Sequence, residues 1–64
     1  MLQMLEFTDK YDALHSVRVD NINHLELDDA TIRISFTAEV LKFDFKGHDS
    51  AKAIYDQILD WLNH

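Results

Sequence analysis

The run Gly47-His48-Asp49-Ser50 holds in consecutive positions the residue types of a hydrolase triad. In such a triad an imidazole takes the hydroxyl proton, while a carboxylate on its far nitrogen fixes the tautomer. That geometry needs side chains converging from separate segments. Three neighbours in a chain diverge and cannot form it. The same residues suit the start of a helix. Gly47, the only glycine in the chain, permits a sharp change of direction. Asp49 or Ser50 can accept the unpaired N–H groups of a first turn, and Asp49 suits the positive end of the helix dipole.

Four histidines, His15, His24, His48 and His64, raise the question of a metal. None has the spacing of a familiar zinc motif, and without cysteine a thiolate site is excluded. His15 shares an inward strand face with Val17, where a hydrogen-bonded, partly buried imidazole is expected rather than a ligand. His24 is expected to face outward with Glu26. Asp28 and Asp29 are adjacent carboxylates, the residue type of acid/base catalysis. They sit where a tight turn is expected, and Asp is common in turns. No glycine-rich phosphate loop or nucleophile elbow occurs in the sequence. The chain is expected to be no enzyme, with no cofactor and no metal.

One group of residues breaks the rules of local stability. Asp56 and Asp60 lie four apart, where like charges repel on a helix. Asp60 also lies near the negative end of the dipole. With Asp49 they form an acidic stripe, which is either a solubilising surface or one offered to a basic protein partner.

These residues need elements to position them. Placed at about 100° per residue, 49–63 is an amphipathic helix. Ala51, Ile54, Tyr55, Ile58, Leu59, Trp61 and Leu62 fill one stripe, and Lys52, Asp56, Gln57, Asp60 and Asn63 lie opposite. Trp61 is expected to pack on a sheet with Ile54, Ile58 and Phe43 or Phe45. Upstream the period is two. Leu25 and Leu27, then Ile32, Ile34 and Phe36, then Leu41, Phe43 and Phe45 alternate with polar residues, as strands with one apolar face do. Residues 28–30 read as a tight connection. The apolar parity flips between Phe36 and Leu41, so a turn or bulge is expected at 37–39. Residues 13–19 and 5–7 read as two earlier strands joined near Asp9-Lys10. A helix bearing Met4, Phe7, Tyr11 and Leu14 is the competing reading of this segment. Residues 20–23 read as a connection with Ile22 inward.

The expected fold class is α+β: one domain over 1–64, an antiparallel meander of about five strands with a C-terminal helix on its apolar face. The polar face then carries Arg18, Arg33 and Lys42 among others.

Composition bounds the function. Twelve acidic residues against six basic ones give a formal charge of −6, which disfavours binding nucleic acid or anionic membrane directly. Hydrophobic residues make up 47% of the chain, enough for a core, though one this small leaves little room for a deep cavity. The beginning of the chain has neither a basic leader region nor an apolar run of secretory length, and a soluble cytoplasmic protein is expected. The function expected is protein interaction or regulation, with a homodimer through free strand edges in view. The alternatives are an acidic mimic of nucleic acid, and a binder of a small ligand or metal.

Overall fold

Alternating side chains decide the strands, and the helical stripe decides where they are covered. The computed structural model describes residues 4–19 and 21–63. Along the chain come β1 (Met4–Thr8), β2 (Leu14–Arg18), β3 (His24–Asp28), β4 (Thr31–Ser35), β5 (Val40–Asp44) and α1 (His48–Leu62). The expected α+β class stands, and the first segment is a pair of strands rather than a helix.

The strands are all antiparallel but are hydrogen-bonded as two sheets, a β1–β2 hairpin and a β3-β4-β5 meander. A single meander would have continued from β2 into β3. Instead β2 and β3 are not paired, and between them Val19 (2% exposed) and the half-buried Ile22 turn inward. Both sheets contribute to one core. Leu5, Phe7 and Val17 come from the hairpin, Ile32, Ile34 and Phe43 from the meander, and Ala51 and Ile58 from the helix. Burying an isoleucine fully, as at Ile32, Ile34 and Ile58, is worth about 1.5–3 kcal/mol each. The helix crosses β3 and β4. The hairpin meets the meander at β5, where the Phe7 ring stands edge-on to Phe43 at 5.0 Å.

The turns follow their residues. Pairing of Asp28 with Thr31 leaves a two-residue loop, Asp29-Ala30. Asp29 has φ 55°, a left-handed conformation that Asp tolerates better than most residues. Between β4 and β5 the parity flip is real. Val40, paired with Ser35, is 61% exposed, while Leu41 and Phe43 face the core. The Phe36 N–H closes that loop on the Glu39 carbonyl at 2.8 Å. The β1–β2 turn runs over 9–13, longer than the Asp9-Lys10 turn expected, and Tyr11 (72% exposed) lies in it rather than in a strand.

The helix departs from expectation at both ends. It starts at His48, its N-cap is Gly47, and no side chain caps it, so neither Asp49 nor Ser50 plays that part. Asp49 lies within the first turn, where the dipole favours it. Gly47 is extended (φ −162°, ψ 171°), a conformation open to any residue, so the change of direction does not require glycine. At the far end Leu62 is 42% exposed, and Trp61 and Ile54 are only half-buried against the core centred on Ile58. The sheet beneath is five residues deep, and the helix of fifteen outruns it.

Candidate functional site

The chemistry-bearing residues of the sequence are used to hold the fold. His48 donates from Nδ1 to the carbonyl of Asp29 at 2.8 Å, tying the helix start to the β3–β4 turn. His15 donates from Nε2 to Asp9 Oδ2 at 2.7 Å, its ring lying 4.7 Å from Phe43 and 5.5 Å from Phe7. The other oxygen of Asp9 accepts the N–H groups of Tyr11 (2.8 Å) and Ala13 (3.1 Å). Asp9 therefore organises its own turn and anchors it to β2. The His15 hydrogen bond, reinforced by these backbone bonds and opposed by partial desolvation, holds its carboxyl below the ordinary carboxylate range. Asp28 is exposed at the end of β3, paired with Thr31, and Asp29 is exposed in the two-residue turn that follows, so the connection is one residue shorter than expected; His24 is exposed at the start of β3. His64 lies outside the described residues, among which no three His, Asp or Glu side chains gather as metal ligands.

The acidic stripe does form. Asp49, Asp56 and Asp60 are all exposed, and helical geometry sets them within about 40° of one another over a rise of about 16 Å. Sequence reasoning missed a cation within it. Lys52 Nζ sits 2.9 Å from Asp56 Oδ2, one turn away, and this hydrogen bond raises the Lys52 pKa. The pair was readable as an i, i+4 spacing, though Lys before Asp is the less favourable order. Asp60 also has an interaction of its own. There is no basic residue in the last turn to answer the helix dipole.

On the meander, Arg33 Nη1 contacts Glu26 Oε1 at 2.8 Å and Thr31 Oγ1 donates to Asp44 Oδ1 at 2.8 Å. This is the polar outer face foreseen around Arg33 and Lys42. Arg18, expected on the same face, lies on β2 of the other sheet and belongs to a feature no pattern announced.

That feature is a groove. The hairpin and the meander touch at one end, where the Lys10 N–H bonds the Asp44 carbonyl at 2.9 Å and His15 packs on Phe43. At the other end they open. An open groove of about 640 Å³ lies between residues 16–18 of β2, residues 21–23, the 36–39 loop and Leu41. It lies beside the core and does not hollow it, which is how a chain this small holds a concavity of ligand size. Its floor is apolar (Ile22, Phe36, Leu41), and its charged members are Arg18 and Glu39.

Family models, curated proteins and solved structures were compared with the chain, and none matches. Fold and surface together define a small α+β domain with an acidic helix face and an open groove between its two sheets. Among the described residues no helix is long and apolar enough to cross a membrane.

Proposed function

We propose that this chain is a non-enzymatic protein-interaction domain whose solvent-facing helix surface engages a basic partner. The observation that carries the reading is the stripe of Asp49, Asp56 and Asp60 on one exposed face, with the opposite face committed to the core. The carboxylate at 60 stands at a helix end that disfavours anions, and departures from local stability rules of this kind accompany function. A net charge of −6 gives the same sign of long-range attraction. A cytoplasmic setting agrees with a chain that has no cysteine to pair.

Mimicry of nucleic acid has less support. Over the rise from Asp49 to Asp60 one DNA strand would present about five phosphates. The helix presents three carboxylates there, and Lys52 partly neutralises one. The test is capture on the immobilised domain from the cells that make it, eluted with rising salt. The reading expects a basic protein held at low salt and released as screening grows. Bound proteins that resist salt, or that are not basic, would refute it.

A further inference from the structure

The groove between hairpin and meander has features that the helix face does not. β2 ends a two-stranded sheet and β5 ends a three-stranded one, so each has an edge that pairs with no other strand among the described residues. Where the sheets diverge, the end of β2 and Leu41 near the start of β5 both line the groove. A strand edge beside an apolar floor is the arrangement that accepts an extended peptide, with backbone bonds for affinity and alternate side chains sent to the floor. Size agrees with this. A strand occupies roughly 160 Å³ per residue from its rise, strand spacing and sheet spacing. The groove of about 640 Å³ thus takes about four residues.

Charge selects the occupant. Among the described residues the lining holds one cation, Arg18, and one anion, Glu39. The field over the groove is then set by the whole chain at −6. An anionic peptide is repelled at range, and a cationic one is drawn in. We infer that the groove is a docking site for an extended cationic segment of a partner protein, carrying one bulky apolar residue that seats among Ile22, Phe36 and Leu41. This rests on the groove, the strand edges and the net charge of the chain, so it stands whether or not the helix stripe binds anything.

The probe is a random twelve-residue peptide library displayed on phage and selected on the full chain. The best enriched peptide is then synthesised and titrated while backbone amide shifts are followed. Enriched peptides should share Lys or Arg flanking a large apolar residue. Shifts should centre on residues 16–18, 21–23 and 36–39. Glu39→Lys, in an exposed loop, should weaken binding about tenfold by placing like charge beside the peptide. Asp56→Asn with Asp60→Asn changes net charge by the same two units away from the groove, and should weaken binding less than about threefold. Phe36→Ala should also weaken binding, with a thermal melt confirming that the fold survives.

No enrichment over the unselected library would overturn the proposal, as would equal loss in the two charge variants or shifts centred on the helix. Groove shifts that appear on concentrating the domain without peptide would mean that a second copy is the occupant, and would overturn it as well.

Discussion

Asp9 and Gly47 show opposite economies at the scale of single residues. Asp9 uses both carboxylate oxygens, one on His15 and one on two backbone N–H groups, and its side chain is 12% exposed. Folding lowers its pKa, so folding favours the ionised form. That stabilisation is fully present above the carboxyl's ordinary pKa near 3.8 and is lost as pH falls through the lower, folded value. Asp9→Asn should therefore melt lower than the parent at neutral pH, and the gap between the two should narrow as pH falls below about 4. A gap that is constant with pH would mean the carboxylate charge is not what the turn uses. Gly47, by contrast, does little that only glycine can do. Its backbone is extended, and a Cβ placed there meets nothing within 4 Å. Gly47→Ser should cap the helix and restrict the unfolded chain, raising stability by about 0.5–1 kcal/mol in urea unfolding. A loss of stability instead would show that the helix does not begin there.

Among the elements, the helix was the most legible in the sequence, because its apolar residues recur at a period that no strand shares. What the pattern could not show is how deep each member of the stripe lies. Ile58 and Ala51 are fully buried, while Leu62, on the same stripe, is 42% exposed because the helix extends past the strands under it. Ile58→Ala should cost about 2–5 kcal/mol, enough to unfold much of so small a domain, and Leu62→Ala well under about 1 kcal/mol. Comparable shifts in thermal melts of the two variants would mean the helix is docked about a different line. The strands were legible from alternation, including the inward His15 and the flip of parity between Phe36 and Leu41. The caps were not, because Gly47, Asp49 and Ser50 each suit a helix start and only the backbone decides among them. The hairpin's separation from the meander was hidden for a related reason. Alternation says which face a residue takes and is silent on which strand lies beside it.

At the scale of the whole molecule, that separation matters most. Two sheets joined at one end share a core and still leave a groove, so a chain of 64 residues keeps Ile32, Ile34 and Ile58 fully buried and retains a concave surface. The groove and the acidic helix face are distinct surfaces, and neither removes side chains from the core. The central claim is that the helix carboxylates serve recognition rather than the fold. It is tested most directly by Asp56→Asn with Asp60→Asn, comparing the melting temperature with the rate of association of the captured partner at low and at physiological salt. The account predicts melting within a few degrees of the parent, since removing the repulsion between 56 and 60 offsets losing the Lys52 contact and the exposed interaction of Asp60. It also predicts slower association and a shallower dependence on salt. Unchanged association at low salt, with the fold intact, would contradict it.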